Sequence, residues 1–207
     1  MPETTPPVAA LQVERKRLKP GERRIQILQS LASMLAQPDG ERITTAALAA
    51  KLQVSEAALY RHFASKAQMF EGLIDFIEQS VFSLINQIDA QTTESGLHRA
   101  AQTMVMLVKF AEKNPGMTRV MVGDALLLEH ERLQQRMNLF FDKIEAALKQ
   151  SLLNHVDERN SQTPMLDAQV RAAVLVAFVR GRLQRYVRSG FKRQPSEQLT
   201  QCLALML

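Results

Sequence analysis

The sequence predicts an all-α protein, a three-helix head with a helix-turn-helix joined to a larger helical body, about nine helices in all. Three observations carry this. Residues 44–66, TTAALAAKLQVSEAALYRHFASK, place Leu48, Ala49, Leu52, Val54, Ala58, Leu59 and Phe63 at helical spacing broken once, so two short helices share one small core. Five of the eight prolines (Pro2, Pro6, Pro7, Pro20 and Pro38) precede residue 40, and only Pro115, Pro164 and Pro195 follow, which leaves room for long uninterrupted helices. No useful stretch alternates apolar and polar residues between turn signals, so strands are not expected.

Taken in order, the spacing predicts helices over 22–37, 44–52, 55–63, 65–90, 95–113, 117–129, 131–156, 165–189 and 195–206. The first carries Ile25, Leu28, Leu31, Ala32 and Leu35 as a stripe that covers the two short helices. Thr44 and Thr45 open the second helix and Ser55 is a natural N-cap for the third. Ser65 and Gln68 form a capping box that starts the fourth. That helix presents Phe70, Leu73, Ile74, Ile77, Val81, Leu84 and Ile88, and at about 37 Å it is long enough to link head and body mechanically. Asn114-Pro115-Gly116 reads as a helix stop. The expected organisation is a basic arm over 1–20, a helix-turn-helix head over 21–66 and a larger helical body over 67–207.

Charge supports the division. Residues 1–66 hold ten Lys or Arg against six Asp or Glu, whereas residues 67–207 hold sixteen against fifteen. Much of the excess is the run Arg15, Lys16, Arg17, Lys19, Arg23 and Arg24, which either tracks phosphates as an arm or solubilises the terminus. No segment reaches about 18 consecutive apolar residues, the N-terminus lacks a signal-peptide core, and the single cysteine, Cys202, has no partner for an internal disulfide. A cytosolic protein is expected.

The outer face of the second short helix has the chemistry of DNA recognition. A capped helix N-terminus offers unpaired N–H groups to phosphate, and Ala57 and Ala58 let the backbone approach base edges and a thymine methyl. Tyr60, Arg61 and His62 reach phosphates or guanine, Lys66 adds a phosphate contact, and the hydroxyls of Thr44 and Thr45 cap their helix, bond to the DNA backbone, or both. Near the C-terminus, Ala173, Ala177, Phe178 and Gly181 sit in a broad apolar surface, and the last helix supplies Leu199 and Leu203. Two such helices packed on their symmetry mates make a four-helix dimer interface, although an internal core contact would produce the same pattern. Dimerisation suits a helix-turn-helix, since two heads reading half-sites about 34 Å apart gain affinity and symmetry.

Catalytic and metal constellations are not found. His130-Glu131-Arg132-Leu133-Gln134 begins like a zinc-protease helix, but Gln134 occupies the second histidine's place. Glu129 and Glu131 read as solvated helix residues. Met104, Met106, Met117, Met121 and Met137, with Phe110, Phe140 and Phe141, either line an adaptable pocket or fill the core.

The stretch RITTAALAAKLQVSEAALYRHFASKAQMF resembles the DNA-binding head of TetR-type regulators. ILQSLASML, LIDFIEQS, FAEKNPGMTR and FVRGRLQRYVRSGFKRQP extend the likeness through the body to the nucleoid occlusion factors of that group; the first 20 residues lie outside it. The resemblance implies a homodimer on scattered palindromic chromosomal sites that antagonises polymerisation of the tubulin-like division protein FtsZ, keeping division rings off the nucleoid. A ligand-responsive TetR-type transcriptional repressor is the alternative. By position it carries the DNA role to Thr44, Thr45, Ser55, Ala57, Tyr60, Arg61, His62 and Lys66, and places an FtsZ surface around Phe76, Lys113 and Asn114. It implies double-stranded DNA, FtsZ and a second copy as partners, with no cofactor, metal, membrane or small-molecule ligand, in the cytoplasm on the nucleoid. Ala47, Leu84, Met106 and Lys109 depart from the group, where lysine, arginine, leucine and glycine are expected.

Overall fold

The computed structural model describes residues 21–38, 43–91, 95–156 and 162–207. Among them are nine α-helices and no strand: α1 (Glu22–Leu35), α2 (Thr45–Leu52), α3 (Glu56–Tyr60), α4 (Lys66–Gln91), α5 (Gly96–Lys113), α6 (Pro115–Met121), α7 (Glu131–Val156), α8 (Pro164–Arg188) and α9 (Leu199–Met206). A 3-10 turn, Asp124–Leu126, separates α6 from α7. The basic run Arg15, Lys16, Arg17 and Lys19, with the whole expected arm over 1–20, lies outside the described residues.

α3 ends at Tyr60 rather than at 63 and α1 at Leu35 rather than at 37, and three other boundaries differ for local reasons. The helix expected over 117–129 is α6 plus the 3-10 turn, because Gly123 turns left-handed at φ 81° and ends α6 early. Its start also moves back to Pro115, since a proline with no N–H and a fixed φ suits the first helical position. Asn114-Pro115-Gly116 is therefore a stop for α5 and a start for α6, with no intervening loop. At the C-terminus, Phe191 and Gln198 adopt positive φ (63° and 54°), so the chain from Ser189 to Gln198 is irregular and α9 begins at Leu199.

One apolar core runs from head to body. Ile27, Leu31 and Leu35 of α1 meet Leu48, Ala49, Leu59 and Phe63, and continue through Met69, Phe70, Leu73 and Ile77 of α4 into α5, α7 and α8. The methionines divide: Met104, Met121 and Met137 are core residues beside Phe140 and Phe141, whose rings pack edge-on at 5.2 Å, whereas Met106 and Phe110 border an open groove.

The head is joined to the body at close range. Gly116 of α6 packs against the α1 backbone, and a Cβ built there would fall 1.9 Å from the Ala32 carbonyl oxygen. Beside it, Arg119 donates to the Leu35 and Gln37 carbonyls at 3.3 and 3.0 Å and to Asp124 at 2.9 Å, closing the C-terminal end of α1 with a cation as the helix dipole favours. Along α4, Glu71 accepts from Arg132 at 2.7 Å, and Glu78 and Asp75 both accept from Arg136, Glu78 at 2.9 Å. Hydrogen bonding to Glu78 raises the Arg136 pKa, overcoming the opposing effect of burial, with Asp75 adding to it. The head's angle is thus set by α6 on one side and α7 on the other.

Candidate nucleic-acid interface

The helix-turn-helix is built by two caps and one left-handed residue. Thr44 accepts from the Ala47 N–H at 3.1 Å and so caps α2, while Ser55 accepts from the Ala58 N–H at 3.2 Å and caps α3. Between them Gln53 takes φ 54°, and the paired bonds from Gln53 N–H to Ala50 O and from Val54 N–H to Ala49 O, both 3.0 Å, end α2 sharply. Half-buried Val54 packs on the shared core. At the start of α4, Ser65 accepts from the Gln68 N–H at 3.2 Å, and Gln68 accepts from the Ala64 N–H at 2.8 Å, so the expected box closes one residue earlier than its usual form.

The outward face follows from this frame. Ala57 is exposed, whereas Ala58 is half-buried. Tyr60 is 45% exposed; its hydroxyl lies 3.5 Å from the Thr45 hydroxyl, which donates to Glu56 at 2.6 Å. This chain spans α2 and α3 and holds the Tyr60 ring upright at the surface. Arg61 is exposed and its side chain forms no hydrogen bond or ion pair among the described residues. His62 is half-buried, and its carbonyl accepts from Arg24, whose guanidinium also lies 4.1 Å from the Phe63 ring centroid. Arg24, grouped by sequence with the basic arm, is thus a fixed part of the head. Arg23 likewise belongs to α1 and donates to Gln26 at 2.7 Å.

Lys66, the first residue of α4, is engaged by the body. Its ammonium pairs with Glu129, the two side chains being 22% and 11% exposed. Glu129 corrects its sequence assignment as a solvated helix residue: it lies in the irregular segment before α7, largely buried. Sequence periodicity had no means of finding it, since the pairing joins residues 63 positions apart.

Of the three expected partner residues, two line one groove. Lys113 and Asn114 line a groove of about 660 Å³ between α4 and α5, with Leu84, Met106, Lys109 and Phe110. The Asn114 amide also donates to the Phe110 carbonyl at 2.8 Å and so closes α5. Phe76 is 49% exposed on α4 and is not part of the groove lining. Three of the four positions expected to depart from the related group, Leu84, Met106 and Lys109, border this groove.

The dimer set also divides. Leu199 and Leu203 are 6% and 5% exposed, buried within the protomer against α8, which Arg182 reinforces by donating to the Pro195 carbonyl at 2.9 Å and to Cys202 Sγ at 3.1 Å. Ala173 and Phe178 are half-buried. Outward on α8 are Val170, Val174, Ala177 and Gly181, and a Cβ added at Gly181 would meet nothing within 4 Å. Sequence spacing placed both faces of α8 together because Ala and Gly serve either.

Residues 94–207 match the tetracyclin repressor-like, C-terminal domain of SlmA-like proteins, and residues 27–73 match the bacterial regulatory proteins of the tetR family. Over 183 residues, 88% of this chain and 91% of the relative, it is 51% identical to the nucleoid occlusion factor SlmA of Colwellia psychrerythraea. The chain belongs to the SlmA family. It is also 50% identical to SlmA of Shewanella sediminis over 86% of this chain and 90% of that one, and 47% identical to SlmA of Vibrio vulnificus over 91% and 95%. Solved structures with the same fold include the regulator FadR of Bacillus subtilis in complex with stearoyl-CoA (TM-score 0.68, 14% identity, 88% and 96% covered). A TetR transcriptional regulator of Legionella pneumophila is similar at TM-score 0.69 and 14% identity, over 92% and 99%. The SlmA likeness thus runs through the body, where the fold neighbours share shape alone. Members of this family are DNA-binding regulators and not enzymes, and among the described residues no helix is long and apolar enough to cross a membrane.

Proposed function

We propose that this protein is a nucleoid occlusion factor: a homodimer that docks its α3 helices in successive major-groove turns of palindromic chromosomal sites and, once on DNA, antagonises FtsZ polymerisation over the nucleoid in the cytoplasm. The observation that carries the proposal is 51% identity spread over head and body alike to a protein named for nucleoid occlusion. The geometry agrees with it. An N-capped α3 with exposed Ala57 and Tyr60 and an unpaired Arg61 suits backbone docking plus base reading. The outward α8 face, Val170, Val174, Ala177 and Gly181, suits a second copy.

The groove between α4 and α5 is the surface we assign to FtsZ. Its floor is apolar (Leu84, Val105, Met106, Phe110) and its rim carries Lys109 and Lys113, so it fits a segment with apolar anchors and negative charge. Lys113 and Asn114 belong to it, and Phe76 is an exposed residue of α4 outside its lining. Mapping bound sites across the chromosome tests the proposal: many scattered sites, depleted near the replication terminus, are expected. Occupancy confined to one promoter would replace it with a local transcriptional repressor.

A further inference from the structure

We infer that Glu129 is an internal stand-in for a DNA phosphate, holding the Lys66 ammonium in the free protein and yielding it when a duplex binds. The inference rests on the DNA-binding proposal and concerns how that face is regulated. Lys66 is the first residue of α4, directly after the segment that follows α3, and it lines the same cavity as Ile43, the neighbour of the α2 cap Thr44. Its flexible stem therefore lies between two acceptors. One is the Glu129 carboxylate on the body, and the other is a phosphate lying across the N-terminal ends of α2 and α4.

Polarity singles this pair out. Glu71 with Arg132, and Asp75 and Glu78 with Arg136, put the carboxylate on α4 and the cation on α7. Lys66 with Glu129 puts the cation on α4 and the carboxylate on the body. An anion approaching the head competes for this contact and is repelled by the carboxylates of the others. Losing Lys66 also frees the segment Leu127–Glu129, whose two leucines are 69% and 71% exposed and held by little else than its turn. DNA occupancy is thereby registered at the joint between α4 and α7.

The test is a double-mutant cycle read by fluorescence anisotropy on a labelled random-sequence duplex at low salt, because phosphate contacts are independent of sequence. Glu129→Gln should tighten binding about two- to fivefold per head, the upper range measured for exposed ion pairs. Lys66→Gln should weaken it, and in the Lys66→Gln background Glu129→Gln should have no effect. Equal tightening in both backgrounds would mean that Glu129 acts only as a distant negative charge, and an unchanged or weakened Glu129→Gln affinity would equally overturn the inference. Hydrogen exchange on the wild-type chain is independent of whether the variants fold: amides of 126–130 should exchange faster with duplex, and an unchanged rate overturns the inference. Duplex binding without coupling removes this inference alone, whereas a wild-type chain that binds no duplex removes the DNA-binding proposal as well.

Discussion

Gly116→Ala should break the contact between head and body. A Cβ there would lie 1.9 Å from the Ala32 carbonyl oxygen, 2.9 Å from its carbon and 3.0 Å from the Ala36 nitrogen, all backbone atoms that cannot swing aside. Real Cβ contacts essentially never fall below 3.0 Å, so α1 and α6 must separate by about 1 Å. Overpacking costs about 1–3 kcal/mol, and a clash this close with fixed backbone falls at the upper end, about 3 kcal/mol. Alanine returns up to about 0.5–1 kcal/mol of helix propensity, so the net expectation is a loss of about 2 kcal/mol. For a chain of this size that lowers the Tm by roughly 4–8 °C. Scanning calorimetry reads it directly, and the sign is decisive: an exposed helical glycine replaced by alanine raises the Tm. An unchanged or raised Tm for Gly116→Ala would refute the backbone-on-backbone joint.

Further expectations concern the two faces and the core. Ala57→Phe should abolish specific duplex binding by lifting α3 from the groove, while Arg61→Ala should weaken all sequences alike and reduce the slope of log affinity against log salt by about one; anisotropy across a salt series checks both. Ala177→Glu leaves the protomer core untouched but puts paired charges on the outward α8 face, so sedimentation should show monomers at concentrations where the wild type is dimeric. Tyr186 is raised above its ordinary pKa by burial and then by Glu112, so the folded state keeps a proton that the unfolded chain gives up. Its contribution is complete below about pH 10 and is lost as pH rises beyond, so Tyr186→Phe should flatten the alkaline fall in Tm.

Most of the architecture was legible because it is local. Caps such as Ser55 and Thr44, the period of α1 and α4, and the proline spacing all act within a few residues. What escaped is non-local. Glu129 looked like a solvated acid until Lys66, far away in sequence, was beside it, and Gly116 looked like punctuation until Ala32 came within reach. Leu199 and Leu203 had the right spacing for an interface, but amphipathic spacing does not say whether the apolar side meets its own chain or another. On the proposed DNA face, Ala57, Tyr60 and Arg61 are exposed, whereas Lys66 is held by the body.

The proposal joins two activities in one molecule, and GTP-driven FtsZ assembly followed by light scattering or sedimentation tests that union most directly. With a duplex taken from a mapped chromosomal site, the protein should suppress assembly, and Lys113→Glu in the groove should relieve the suppression without altering duplex affinity. Assembly that proceeds unchanged while the protein is demonstrably on that duplex would contradict the account.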